Sequence, residues 1–372
     1  LAAVLLLGSP LLVAGCFFSG FLDASDQWII LQNPVAQNGL SGAALEQVLR
    51  PPLSGFAGHG VQYMPLTNLL NGMQLRIFGP HAWLFRLGNL AFHFGTAMLL
   101  YLALLALMPH AGRNVVGQMF SIVPANHATR PDIAAALGAA CFFFHPANAA
   151  SICLAAERKH VMAVFFSMLA AWILLAPTRN VERGFARPSR ARYALACLAY
   201  LLALASKPAA VGWAPFFILM EWAWFRRGWP SALLRAAGFA LPAALAAVVA
   251  LAAGASLLQP LTGGSYLNWA LTTFYQLGRY AHLALAPDAT SHSYSYVVDP
   301  VSSLGDLHLL FAALMLAAPL GLAWWTSIEP RRLWVLVAGC VLALSPHPHV
   351  VTFVMQDRYL YLSLPLGAAV AA

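Results

Sequence analysis

Lysine is nearly missing from this chain: of 20 basic residues in 372, only Lys159 and Lys207 are lysines. Charge of either sign is scarce, at 9%, where a soluble domain carries about a quarter, so a soluble globular protein of this length is excluded. Paired cysteines are lacking as well. Cys16, Cys141, Cys153, Cys197 and Cys340 sit singly, with none of the spacings that mark disulfide frameworks or metal knuckles. No basic run with interleaved aromatics stands out, which argues against nucleic acid as a partner. No internal repeat relates the two halves, whereas many transporters are built from such repeats.

What the chain has is apolar length. Hydrophobic residues make up 61%, and stretches of about 20 apolar residues, enough to cross a bilayer as helix, recur throughout. The pattern predicts an all-α, polytopic transmembrane bundle forming one domain over 1–372, with about ten spans. They fall near 1–19, 82–108, 132–145, 160–176, 192–206, 209–225, 236–257, 306–327, 332–345 and 359–372. With the first helix starting in the cytoplasm, the inner loops hold twelve arginines against four acids, as the positive-inside rule requires. The outer side then carries eight charges of each sign, so the net charge of +8 reflects topology. Alanine and arginine bias with scarce lysine points to a GC-rich bacterial genome and the inner membrane, with the outer side periplasmic.

Two outer segments are long. In the first, about 20–81, the amphipathic stretch Leu66 to Phe78 reads as an interfacial helix. In the second, about 258–305, Tyr266 to Ala286 reads as interfacial or re-entrant, because the chain after it has no Lys or Arg up to Asp306. Val13-Ala14-Gly15-Cys16 matches a lipoprotein cleavage box, but no basic segment precedes it, and such matches arise by chance in a chain rich in Ala, Gly and Leu.

The two lysines stand in Glu157-Arg158-Lys159-His160 and Ser206-Lys207-Pro208, each wedged between apolar runs. Ionisable groups at membrane depth are costly and mark sites. Asp26, just past the first apolar run, is a carboxylate able to take a proton from a hydroxyl held within hydrogen-bond reach; the blander alternative is a charge marking the membrane boundary. The cations have a blander alternative too, in mutual neutralisation of Glu157 with Arg158 or Lys159 and of Asp357 with Arg358. Lys207 has no acidic neighbour in its own segment.

Six segments in order carry a resemblance: Tyr63-Met64-Pro65-Leu66-Thr67, Phe78-Gly79, Arg86-Leu87-Gly88-Asn89-Leu90-Ala91-Phe92-His93, His145-Pro146 with Glu157-Arg158-Lys159, Ser206-Lys207-Pro208 with Glu221-Trp222, and Asp357-Arg358-Tyr359-Leu360-Tyr361-Leu362. They resemble the C-type glycosyltransferase superfamily, in the branch of tetratricopeptide-repeat-associated O-mannosyltransferases, although the 372 residues hold no such repeats. The resemblance implies transfer of a sugar from a polyprenyl-phosphate carrier to a protein, glycan or lipid hydroxyl on the non-cytoplasmic face. It implies Asp26 as the catalytic carboxylate; with Ala150 in place of the usual Glu, Asp23 or Glu157 is the alternative. Arg158, Lys159, Lys207, Arg279 and Arg358 are the cations for the departing lipid phosphate, where fixed positive charge acts most strongly. Glu157, His145, Asp357, Tyr359, Tyr63 and His93 support them. A single displacement would invert the anomeric carbon.

The chain departs from that pattern. Asn148 and Ala150 stand where a second His and a Glu are usual, His160 where an Asp is usual, and Ser25 where a second Asp often occurs. No cofactor is expected. His292, His347 and His349 read as solvent-facing rings rather than a metal site, since hard cations prefer oxygen ligands. Tyr275, Tyr280, Tyr294, Tyr296 and Trp269 read as interfacial anchors. Two alternatives remain, a transporter or flippase of lipid-linked substrates and an inactive scaffold of the same fold.

Overall fold

The computed structural model describes residues 1–22, 24–38, 41–42, 46, 63–107, 131–175, 179–180, 184–185, 188–225, 228–253, 264–287, 296–297, 299–326, 330–344, 354–355 and 357–371. They form helices α1 (Ala2–Val13), α2 (Pro65–Phe78), α3 (Ala82–Leu107), α4 (Pro131–Phe143), α5 (Ala149–Cys153), α6 (Arg158–Leu175) and α7 (Arg190–Ser206). After these come α8 (Trp213–Ala223), α9 (Trp229–Ala253), α10 (Tyr266–Leu285), α11 (Leu307–Thr326), α12 (Pro330–Leu344), α13 (Asp357–Leu360) and α14 (Leu364–Ala371). Two small antiparallel ladders pair β1 (Arg179–Asn180) with β2 (Gly184–Phe185), and β3 (Tyr296–Val297) with β4 (Val354–Met355). The second ladder joins the long segment after α10 to the chain just before Asp357.

Each apolar run contains a helix, but the expectation of about ten crossings is corrected. Among the described residues, three helices are long and apolar enough to cross a membrane: Ala82–Leu107, Ala155–Leu175 and Trp229–Val249. Ile133–Phe143 with Pro146–Cys153 makes a fourth if that pair, bent by 49°, is one span. The reason is length. At 1.5 Å per residue, α8 reaches about 17 Å and α12 about 23 Å, short of a hydrocarbon core of about 30 Å.

Proline sets several of the ends. A residue before proline is pushed out of the helical region, and His145 before Pro146 is extended at φ −64°, ψ 126°, so α4 stops. Lys207 before Pro208 is extended at φ −156°, ψ 126°, so α7 stops. Helix α2 begins with Pro65 in its first turn and ends at Gly79, whose φ of 74° suits a residue without a side chain.

The core lies around α6, which packs chiefly against α7 and α3 and is buried over most of its length. Val161, Val164 and Met168 meet Leu100, Leu104, Ala199 and Ala203 in one apolar cluster. Farther out, Phe217 and Phe239 stack with centroids 4.4 Å apart. The outer faces carry exposed leucines at helical spacing: Leu195, Leu198 and Leu201 on α7, Leu234, Leu241 and Leu245 on α9, Leu307, Leu310 and Leu314 on α11. Such stripes are a liability in water and natural against lipid.

Helix α2 turns its polar face inward. Thr67 and Asn71 are buried, while Met73, Ile77 and Phe78 point out, as suits a helix with lipid outside and a polar cluster inside. Helix α10, capped by Ser265 accepting from Asn268 N at 3.1 Å, packs along α11. Their contact depends on Gly278, where an added Cβ would lie 2.4 Å from Ala312 Cα.

The reading of the cysteines as single is also corrected. Cys16 and Cys153 form a disulfide with Cα atoms 6.0 Å apart, across 137 positions. Spacing rules detect local frameworks, and this pair arises only when the end of α1 reaches α5.

Small residues let membrane helices approach closely, and overpacking costs roughly 1–3 kcal/mol. Gly278→Ala should therefore lower the thermal midpoint of the purified protein in detergent. Gly321→Ala, where nothing lies within 4 Å of the added Cβ, should leave it unchanged or raise it.

Candidate functional site

The two proline-set breaks deliver the charged segments to one place. After the first, Leu154 is extended at φ −85°, ψ 120°, and a 3₁₀ turn over Ala155–Glu157 leads into α6. After the second, Lys207 stands between α7 and the turn Pro208–Gly212. Thr67 Oγ1 donates to Ser206 O at 2.8 Å, so α2 is fastened beside Lys207.

The side chains form a chain of contacts. Glu157 lies 3.3 Å from Lys159 Nζ through Oε1 and meets His160 Nδ1 through Oε2. His160 Nε2 meets Lys207 Nζ. A carboxylate only accepts and an ammonium only donates, so His160 is neutral, donating from Nδ1 to Glu157 and accepting at Nε2 from Lys207. Lys207 Nζ also lies 5.6 Å from the Tyr359 ring centroid, and the His160 and Tyr359 rings are 6.1 Å apart. Mutual neutralisation thus holds for Lys159 with Glu157, and Lys207 finds its neighbour on another segment, in His160.

Arg158 turns the other way. It donates to Phe85 O at 3.0 Å and to the side-chain oxygens of Asn89 and Asn71 at 3.4 Å each, with its guanidinium 4.8 Å from the Phe85 centroid. Gly88 makes room for it, because a Cβ there would lie 2.5 Å from Arg158 Nη2. Asp26, just past the first apolar run, is fully buried. Its Oδ2 accepts from Leu22 N at 3.0 Å and its Oδ1 from Ala156 N at 2.8 Å, tying the first loop to the residue before Glu157. Arg86 was quoted in the motif but given no role. It is buried and gathers carbonyls, donating to Cys153 O at 2.8 Å, Phe17 O at 3.2 Å, and Ser19 O and Gly20 O. The signal for it was an arginine inside an apolar run.

Among the described side chains, four full cations, Arg86, Arg158, Lys159 and Lys207, and three carboxylates, Asp26, Glu157 and Glu221, are buried.

Other expected residues do different work. His93 joins α3 to Tyr361 Oη at 2.8 Å and Phe143 O at 3.0 Å, stacked on Phe143. His145 accepts from Ala147 N at 3.2 Å and contacts Ala284 O at 3.1 Å, closing α4 and holding α10. Asn148, at one departure from the family pattern, is buried and donates to Phe142 O. Tyr63 is half-buried ahead of α2, and Arg279 half-buried on α10. Asp357 and Arg358 begin α13, which packs beside α5 and the Pro146–Asn148 turn; their side chains lie outside the described residues, as do Asp23, His292, His347 and His349. Among the described residues no three His, Cys, Asp or Glu side chains gather as metal ligands. Two surface cavities lie elsewhere, one of about 290 Å³ beside Leu31, Leu75 and Arg76, the other of about 250 Å³ between α6 and α7.

No protein-family model, curated protein or solved structure matches the chain.

The disulfide predicts that Cys16 and Cys153 take up maleimide in the unfolded protein only after reduction, read by peptide mass spectrometry, whereas Cys141, Cys197 and Cys340 label without it. Gly88→Ala should force Arg158 to move, with a loss of roughly 1–3 kcal/mol in denaturant unfolding that Arg158→Met in the same chain reduces.

Proposed function

We propose that this protein is a membrane-embedded glycosyltransferase of the C-type fold. It moves a mannose-like sugar from a polyprenyl-phosphate carrier to an acceptor hydroxyl on the non-cytoplasmic face of a bacterial inner membrane. The observation that carries the reading is the meeting of two buried ammonium groups, Lys159 and Lys207, with the Glu157–His160 pair. Fixed cations in a low-dielectric site act strongly on charge that develops on a bound group, and such a place suits an anion that arrives and leaves.

A lipid phosphate fits that demand. The donor is a phosphodiester with one negative charge, and departure of the sugar leaves a monoester approaching two, since its second pKa is about 6. Lys207 and Lys159 act on it as point charges. Irregular backbone at membrane depth is tolerated where it is buried in protein or lines a cavity, and the breaks at His145-Pro146 and Lys207-Pro208 bring their charges to such a place. The Cys16–Cys153 bond supports an oxidising compartment on this side. Asp26 holds the position that the resemblance gives to the catalytic carboxylate.

One observation favours the alternative of a lipid-phosphate binder, transporter or scaffold without transfer: both oxygens of Asp26 already accept backbone N–H groups. Purified protein given a radiolabelled polyprenyl-phosphate mannose separates the two. A transferase releases or transfers the sugar, and Lys207→Ala lowers donor binding at least tenfold. Binding that depends on Lys207 with no turnover indicates the binder. Absence of both for mannose and for other lipid-linked sugars overturns the lipid-phosphate reading.

A further inference from the structure

We propose that His160, oriented by Glu157, is the catalytic base that takes the acceptor's proton, and that Lys207 masks it until a lipid phosphate draws the ammonium away. This rests on the lipid-phosphate reading above.

The geometry around His160 is that of an oriented base. Nδ1–H is committed to the Glu157 carboxylate, which fixes the ring and the tautomer and stabilises the imidazolium that forms on protonation, the role a buried carboxylate plays beside a histidine base. The Nε2 lone pair is left facing Lys207 Nζ. A phosphate attracts an ammonium more strongly than a neutral imidazole does, so donor binding moves Lys207 and frees Nε2 for the acceptor hydroxyl.

Asp26 is placed for a different task. Each of its oxygens accepts a backbone N–H, one from the first loop and one from the segment entering α6. A carboxylate whose two oxygens each hold a backbone N–H is committed to keeping those segments in place. Asp26 is therefore a positioning residue that holds Ala156, and through it Glu157, in register.

The step balances without a further reagent. The acceptor oxygen forms a bond to the anomeric carbon as its proton passes to His160 Nε2. The bond from that carbon to the phosphate oxygen breaks, and its electron pair stays on the phosphate, opposite Lys207 and Lys159. The proton remains on the imidazolium, opposite Glu157.

Among the described residues, the titratable groups facing His160 are Glu157 and Lys159 on its own segment, Lys207 beyond α7 and Tyr359 on α13. Two measurements on the full chain in detergent test the proposal. The first is carbethoxylation of His160 by diethyl pyrocarbonate, followed by peptide mass spectrometry, with and without farnesyl phosphate as probe. Reaction should be slow in the free protein and at least tenfold faster with the probe or in Lys207→Ala. Bound probe with no change at His160 overturns the masking.

The second is single-turnover transfer across pH. The wild type should show a limb that rises with the deprotonation of one group. His160→Gln should remove that limb and slow transfer by about 10²–10⁴-fold with donor binding kept, and Glu157→Gln should shift the limb downward in pH. Transfer at the wild-type rate in His160→Gln, with the limb lost in Asp26→Asn instead, overturns the assignment. If the wild type binds no lipid phosphate, the underlying reading fails and the proposal falls with it.

Discussion

Everything around α6 answers one constraint, that charge must be kept in a low-dielectric interior without being left uncompensated. An isolated ion moved from water into such a medium loses far more solvation than one neighbour restores. The protein therefore gives each buried charge several partners. Arg86 gathers four backbone carbonyls, Arg158 two asparagine oxygens, a carbonyl and an aromatic face, Asp26 two backbone N–H groups, and Glu157 both Lys159 and His160. Most of those partners are main-chain groups in the first loop and in the turn between α5 and α6, where they are not used up within a helix. The interruption before α6 is therefore a condition for holding the charges.

The first loop is held by the same logic with a covalent addition. Arg86 collects the carbonyls of Phe17, Ser19 and Gly20 together with Cys153 O, the disulfide joins Cys16 to Cys153, and Asp26 bonds Ala156 N. All three converge on the few residues that lead into Glu157. A short loop at the end of α1 thereby becomes part of the wall around the charged groups, and the position of Glu157 depends on three independent attachments. Deleting one leaves the others to hold the register, which makes these residues positioning elements.

Much of this was legible in the sequence at the level of segments, and little of it at the level of pairs. Apolar runs announced each helix, and the rarity of lysine pointed to Lys159 and Lys207 because an ionisable group inside an apolar run has few innocent explanations. Fewer crossings stand among the described residues than the apolar runs predict, in part because hydropathy does not register that α8 and α12 are too short to span. The Cys16–Cys153 bond was invisible, since 137 residues separate the partners and only the meeting of α1 with α5 joins them. Glu157 stands next to Arg158 in sequence but bonds Lys159 and His160, because successive residues entering a helix point about 100° apart, so Arg158 falls against α3. The rings of His93 and His145 meet carbonyls and, for His93, a tyrosine hydroxyl, contacts that their place in the sequence does not announce.

Under the proposed function the charge on the phosphate grows as the sugar leaves, and catalysis favours interactions stronger in the transition state than in the ground state. The ammonium groups of Lys159 and Lys207 would then act more strongly on the departing monoester than on the bound phosphodiester. On this reading Glu157 has two tasks: it offsets Lys159, and it orients His160, which stays neutral between Glu157 and Lys207 and so adds no charge until a proton is transferred.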